Sequence, residues 1–166
     1  MEYKRTENGC YLRVDKSEEL LNSVLEVCRR EQITSATFHG IGAFGQVCVA
    51  TYIPEKDDFL DHQKTGMLEL LSQDGNISHD ENGQIFEHAH AMFSYLNEDG
   101  GISFFGGHLK SAVVSYTAEI VIDPVPGDGI GRMIDPFTGI TVWKLHENGG
   151  YDGIHQESVP GFRDVQ

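Results

Sequence analysis

The sequence is short of basic residues, and this shortage argues against one class of partner. Its 166 residues carry 12 Lys and Arg against 26 Asp and Glu, for a formal net charge of −14. Such a chain repels the phosphate backbone of a nucleic acid. The arginines are scattered, apart from Arg29 and Arg30 at the end of a predicted helix, so they form no basic patch. The composition therefore argues against direct DNA binding.

Cysteines and long apolar runs are equally scarce. Cys10, Cys28 and Cys48 are an odd number without C-x-x-C spacing, which disfavours a disulfide framework or a thiolate metal site. No apolar stretch follows residues 1–7, so we expect no secretory signal, and no run is long enough to cross a bilayer. These features are typical of a cytoplasmic protein with reduced thiols.

The apolar pattern predicts one helix in a chain made mostly of strands. Asp15 and Glu18 have capping-box spacing, with Asp15 as the N-cap, and the residues that follow are apolar at spacings of three and four. Alternating or β-branched runs predict strands over residues 10–14, 33–39, 46–53, 67–72, 85–95, 102–109, 112–122 and 141–145. Short turns join most of them, which favours an antiparallel or mixed sheet and an α+β fold. We expect one domain over residues 1–145 and a C-terminal tail over 146–166.

A glycine-rich segment, Gly40-x-Gly42-x-x-Gly45, matches the dinucleotide-binding fingerprint only formally. That fingerprint needs a helix next, because the helix N-terminus binds the pyrophosphate. Here residues 46–52 read as a strand. The segment is more typical of a tight turn between two strands, where glycines let backbones approach closely; an anion-binding nest of backbone N–H groups is the remaining functional alternative.

The main candidate site is a set of three histidines, His88, His90 and His108. His88 and His90 share one face of a strand because side chains alternate. The turn-rich residues 97–101 reverse the chain, and a reversal centred on Asp99 places His90 opposite His108. Three imidazoles on rigid strands suit zinc and leave a fourth position open. Two other interpretations stay open here: ordinary solvated residues, or a hydrogen-bonded core network without metal.

Several other polar residues are weaker candidates. His39, beside the glycines, is a further ligand, a proton shuttle or a structural residue. Glu69 and Glu119 fall inside apolar strands, where a carboxylate faces water or pairs with a cation or a ligand histidine. No nucleophile arrangement stands out, and nothing marks Ser103 or Ser111 as activated.

Taken together, these motifs resemble the plants-and-prokaryotes-conserved (PPC) domain, which in plant nuclear proteins accompanies AT-hook motifs. The resemblance is to the stand-alone prokaryotic type and covers roughly residues 4–145. It rests on the first strand and helix, on Glu119 in the closing strand, and on four segments: residues 40–43, residues 66–77, His88-Ala89-His90 and Gly106-Gly107-His108-Leu109. It implies a compact α+β fold, a homotrimer, and a metal held by the histidines. Family members often carry a DNA-binding label, but this chain has no Arg-Gly-Arg-Pro motif, and Met67 stands where plant proteins tend to have arginine.

These observations lead to two hypotheses of different classes. The first is a cytoplasmic homotrimer that binds zinc through His88, His90 and His108 and recognises a protein partner, a small anionic ligand, or DNA through an associated protein. The second is a zinc-dependent hydrolase-like enzyme acting on a small molecule, with the open fourth position as its reaction centre and Glu69 as a general base.

Overall fold

The computed structural model describes residues 1–56 and 58–146. Within them lie one α-helix, a short 3-10 helix over Pro54–Lys56, and eight strands. In chain order these elements are β1 (Glu2–Arg5), β2 (Cys10–Asp15), α1 (Leu20–Arg30), β3 (Ala36–Ile53), β4 (Asp58–His79), β5 (Ile85–Leu96), β6 (Ile102–Pro124), β7 (Gly131–Ile134) and β8 (Thr141–Lys144). The predicted α+β class with a single main helix is therefore confirmed.

Four long strands form the centre of the fold. β3 pairs with β4, β4 with β5, β5 with β6, and β6 with β3, all antiparallel, so the four strands close into a ring. Within the ring, β6 pairs with both β5 and β3, because its first part lies against β5 and the rest lies against β3. β2 and then β1 extend the sheet from β6, and the β7–β8 hairpin joins the end of β4.

The core lies inside this ring and under α1. Phe44 and Phe93 meet edge to face, with ring centroids 5.6 Å apart and no exposed surface on either residue. The helix buries one apolar face, which includes Leu20, Val24 and Val27. Burying one face while the other stays polar fits the spacing of three and four in the sequence. On β5 the buried residues Ala89, Ala91 and Phe93 alternate with the histidines, so the core side chains and the histidines lie on opposite faces of the strand.

The helix begins later than the sequence predicts. Its N-cap is Glu19, whose carboxylate accepts hydrogen bonds from the backbone N–H groups of Leu21 at 3.2 Å and Asn22 at 2.8 Å. Asp15 is not the N-cap; its backbone N–H donates to Glu18 Oε2 at 2.8 Å, which fixes the turn before the helix. The N-cap position thus belongs to Glu19. The same carboxylate also accepts a hydrogen bond from the N–H of Ala112 on β6 at 3.0 Å, which ties the start of the helix to the sheet.

The glycine segment is not a turn. Gly40, Gly42 and Gly45 lie inside the continuous strand β3, and the irregularity shows as register shifts, that is, β-bulges, against both neighbours. Close backbone approach is the reason for glycine at position 42, because an added Cβ would lie 2.7 Å from Ala118 Cα and Cβ. Because a strand follows, a dinucleotide fingerprint is excluded.

Three other predicted strands are parts of longer ones. The predicted strand 67–72 lies within β4, and the predicted strands 102–109 and 112–122 both lie within β6. The sequence did not predict β1 and β7. The predicted tail lies outside the described residues from position 147 onward. Among the described residues, no helix combines the length and apolar composition that crossing a bilayer requires.

Candidate metal centre

The hairpin of β5 and β6 sets the register of the three histidines. Asn97 closes the turn, since its N–H donates to the carbonyl of Gly101 at 2.9 Å and its carbonyl accepts from the N–H of Gly100 at 3.0 Å. His90 is then paired directly with His108 across the two strands. The predicted register is confirmed, and with it the shared face of the three side chains.

The three imidazoles form one cluster on the outer face of β5 and β6, opposite the core. Their ring centroids lie 5.1 to 5.4 Å apart. One nitrogen from each ring can be chosen so that all three lie within 4.8 Å of one another. Tetrahedral zinc with Zn–N distances of about 2.0–2.1 Å needs nitrogens roughly 3.3 Å apart, so small side-chain rotations would bring them into position. The cluster can hold a metal without any change in the strands.

Electrostatics keep two of these rings neutral. The pKa of His88 is lowered by desolvation first, then by His90 and by Arg132. The pKa of His108 is lowered by desolvation first, then by the other two histidines and Lys110. A neutral imidazole has a free lone pair, which is the form that binds a metal. No hydrogen bond from another described residue occupies any of the three rings, which argues against the hydrogen-bonded core network.

Aromatic and polar side chains surround the cluster on two sides. The ring of Phe59 lies 5.3 Å from that of His108, at the end of the β3–β4 hairpin. On β4, Asp74 is paired with His90 and Asn76 with His88. Trp143 on β8 also contacts this polar side, because its indole Nε1 donates a hydrogen bond to Asn76 Oδ1 at 3.2 Å. The cluster thus sits between an aromatic side and a polar side.

Other candidate residues are not part of this cluster. His39 lies on β3, two strands away from His90, because Asp74 on β4 is paired with both residues. The Nδ1 atom of His39 lies 3.8 Å from Asp123 Oδ2. Glu69 is paired with Ser94, four residues along β5 from His90, or about 13 Å. Glu69 and Glu119 are both exposed. The structure therefore gives no support to Glu69 as a base at the histidines.

Sequence reasoning missed the contribution of the β7–β8 hairpin. Arg132 and Trp143 are paired across it, and Arg132 is close enough to affect the pKa of His88. One signal was available: Trp143 is the single tryptophan, and Arg132 interrupts an otherwise apolar tetrapeptide, Gly131–Ile134. This signal marks the two residues as unusual but does not place them near the histidines, because that proximity depends on tertiary packing.

Comparison with known proteins gives the family context of this geometry. The model of the Plants and Prokaryotes Conserved (PCC) domain, the PPC domain of the sequence resemblance, matches residues 1–126. These residues include all three histidines but end before the β7–β8 hairpin. No curated protein matches the chain.

Solved structures share the fold over most of its length. A PPC protein from Pyrococcus horikoshii is 32% identical, with 88% of this chain and 95% of that chain covered and a TM-score of 0.70. A metal-containing protein from Archaeoglobus fulgidus is 29% identical, with 86% and 96% covered and a TM-score of 0.71. A suggested DNA-binding protein from Ralstonia eutropha JMP134 is 25% identical, with 87% and 96% covered and a TM-score of 0.76.

Proposed function

The chain belongs to the Plants and Prokaryotes Conserved domain family, and from this premise we propose that it is a metal-binding recognition module of the prokaryotic type. In this proposal His88, His90 and His108 hold one zinc ion per chain. The observation that carries it is the convergence of three ring nitrogens within 4.8 Å. A similar protein from Archaeoglobus fulgidus is described as metal-containing, which supports the same view.

The donor set favours zinc among the common metals. Three imidazole ligands suit zinc, whereas calcium and magnesium prefer oxygen ligands. Among the described residues no carboxylate or thiolate joins the three histidines as a fourth ligand. The fourth position would thus be open to water or to a ligand from solution, which is why we assign recognition of a small ligand or a partner rather than a purely structural role.

Elemental analysis of purified, untagged protein tests the metal assignment. We expect about one zinc per chain in the wild type and its loss in His90→Ala and His108→Ala. His39→Ala is the matched control, because the His39 side chain is 55% exposed on β3 and lies outside the cluster. Full metal content in His108→Ala, or equal loss in His39→Ala, would show that the ligand assignment is wrong.

We also propose that the protein assembles as a homotrimer in the cytoplasm. Apolar side chains continue the histidine face: Met92 is 51% exposed and Phe104 62% exposed. Large apolar groups exposed on a sheet face are typical of surfaces covered in an assembly. Sedimentation equilibrium should give three times the 18.5 kDa of one chain. A mass of one chain at micromolar concentration would contradict this proposal.

Direct DNA binding is disfavoured by the charge of the chain, even though a similar protein is described as a suggested DNA-binding protein. Contacts with phosphates would give an affinity that falls steeply with salt. We expect no sequence-dependent retention of DNA at 150 mM salt. Sequence-specific retention at that concentration would overturn this part of the proposal.

A zinc-dependent hydrolase-like enzyme is the second candidate, favoured by the three-histidine set without a fourth protein ligand. When bound in such a site, zinc supplies a Lewis acid and lowers the pKa of its bound water. The chain's own part would be to hold the three imidazoles in place, with His88 and His108 kept neutral and the Phe59 ring beside His108. Screening esters, phosphoesters and lactones with zinc-loaded and metal-stripped protein tests it. Equal rates in both would exclude this candidate.

A further inference from the structure

Within the described part of the chain, the guanidinium group of Arg132 on β7 has no protein partner. Its Nε is buried, and neither a hydrogen-bond acceptor nor a carboxylate among these residues pairs with it. Partly burying a charged donor without an acceptor costs free energy. Acidic residues outnumber basic ones by more than two to one in this chain, yet none within its described residues pairs with this arginine. An anion from solution would reach this guanidinium through its terminal Nη groups, because the Nε itself is buried.

The β7–β8 hairpin holds Arg132 beside the histidine cluster. Arg132 is paired with Trp143, whose indole donates to Asn76, and Asn76 is the strand partner of His88. The charge of Arg132 also contributes to the lowered pKa of His88, after desolvation and His90. The guanidinium is therefore within electrostatic reach of the cluster, and the backbone of its residue is held in the β7–β8 hairpin.

A cavity of about 560 Å³ lies next to this arginine. Phe86, which lies two residues before His88 on the same face of β5, forms one side of it. Its lining combines one cation with apolar and acidic groups: Arg132, Phe86, Met133, Ile134, Asp80 and Glu81. A small molecule with one negative charge and an apolar part matches this lining.

We propose that Arg132 binds the carboxylate of a small organic monoacid whose apolar part occupies this cavity, beside the three-histidine site. The inference rests on the proposed function and deepens it, because it names the class of ligand recognised there. The planar guanidinium fork matches the two oxygens of a carboxylate. Phosphate and other multiply charged anions bind less well here, because the carboxylates of Asp80 and Glu81 and the negative net charge of the chain repel them more strongly than a monoanion.

Fluorescence of Trp143 provides a direct readout, because it is the single tryptophan and the hairpin partner of Arg132. The probes are hexanoate, its uncharged analogue hexanamide, acetate and inorganic phosphate. Titrations use the full chain, once loaded with zinc and once stripped of metal. We expect hexanoate to bind most tightly, acetate more weakly because it lacks the apolar part, and hexanamide and phosphate not to saturate.

The variant Arg132→Gln removes the charge and should weaken hexanoate binding at least tenfold, while Arg132→Lys should retain part of the affinity. Arg30→Gln is the matched control: it changes the charge equally, but at the end of α1, where Arg30 pairs with Glu26. Equal hexanoate affinity in Arg132→Gln and wild type, or saturable binding of hexanamide with equal affinity, would overturn the inference.

Zinc content of the same samples separates this inference from the proposed function. Zinc retained together with Arg132-dependent hexanoate binding supports both. Binding that depends on Arg132 in a protein that takes up no zinc would refute the metal assignment but support the carboxylate site. Zinc bound normally with hexanoate binding unaffected by Arg132→Gln would refute only the carboxylate site.

Discussion

At the scale of single residues, the histidines show how position alters an ordinary side chain. Isolated in water, an imidazole is half protonated near pH 6.5. Desolvation and mutual repulsion lower the pKa of His88 and His108 below that value, so both are neutral at pH 7. A neutral imidazole keeps a free lone pair, which is the form of the ring that binds a metal.

This shift predicts a pH dependence of the metal-free protein. Below pH 6.5 the unfolded chain binds more protons at His88 and His108 than the folded chain does, because the folded pKa values are lower. Stability should therefore be unaffected by these groups above about pH 7 and fall as the pH drops from about 6.5 through the lowered values. Thermal unfolding between pH 7.5 and 5 measures it.

The double variant His88→Asn, His108→Asn should flatten this dependence, since asparagine does not titrate. His39→Asn is the control and should leave it in place, because His39 lies outside the cluster. An unchanged slope in the double variant would contradict the prediction.

At the scale of elements, bulges and close contacts decide how the long strands bend. β3 keeps two partners through residues 40–45 only because its register shifts there and because glycine lets β6 approach. Gly42 meets Ala118 and Thr117 at distances that leave no room for a side chain. The irregularity in β3 thus depends on β3 and β6 together, because the glycine on one strand makes room for the backbone of the other.

Gly42→Ala should destabilise the protein by about 1–3 kcal/mol or more, because the new methyl would lie 2.7 Å from the Thr117 carbonyl oxygen and from Ala118. Gly45→Ala is the matched control in the same segment, where the nearest atom, Ser115 Cβ, is 3.4 Å away. Urea unfolding of both variants is the measurement. Equal midpoints for the two would count against close packing at Gly42.

Glu19→Ala should destabilise by about 1–2 kcal/mol, since it removes the N-cap of α1 and the tie to the Ala112 N–H. Glu26→Ala removes a carboxylate from the same helix, where its one ion pair with Arg30 is exposed, and should change stability by less than about 0.5 kcal/mol. Urea unfolding distinguishes the two. A larger loss in Glu26→Ala would show that the cap is not the decisive contact.

At the scale of the whole molecule, the core and the histidine cluster are separate. The core fills the ring of strands and the space under α1, while the histidines lie on the outer face. Ligand exchange at the cluster therefore does not require the core to open. Folding and the proposed recognition thus depend on different faces of the same strands.

Under the proposed function, removing zinc should lower the melting temperature but leave the secondary structure intact. A ligand at one hundred times its Kd stabilises the folded state by about 2.7 kcal/mol, or roughly 5–10 °C for a chain of this size. Calorimetry and far-ultraviolet circular dichroism with and without a chelator measure the two quantities. Loss of the strand signal on chelation would contradict the separation of core and site.

The sequence alone was sufficient for the features that depend on short-range patterns. Alternation and one turn determined the face and register of His88, His90 and His108, because the turn over residues 97–101 joins two strands that follow each other directly in the chain. The apolar spacing determined α1, and the motifs determined the family. The tertiary structure decided what depends on distant pairings: that β3, β4 and β6 run through their glycines, and that Arg132 and Trp143 reach the cluster from a hairpin more than twenty residues away. Such contacts depend on which strands meet, and local periodicity carries no information about that.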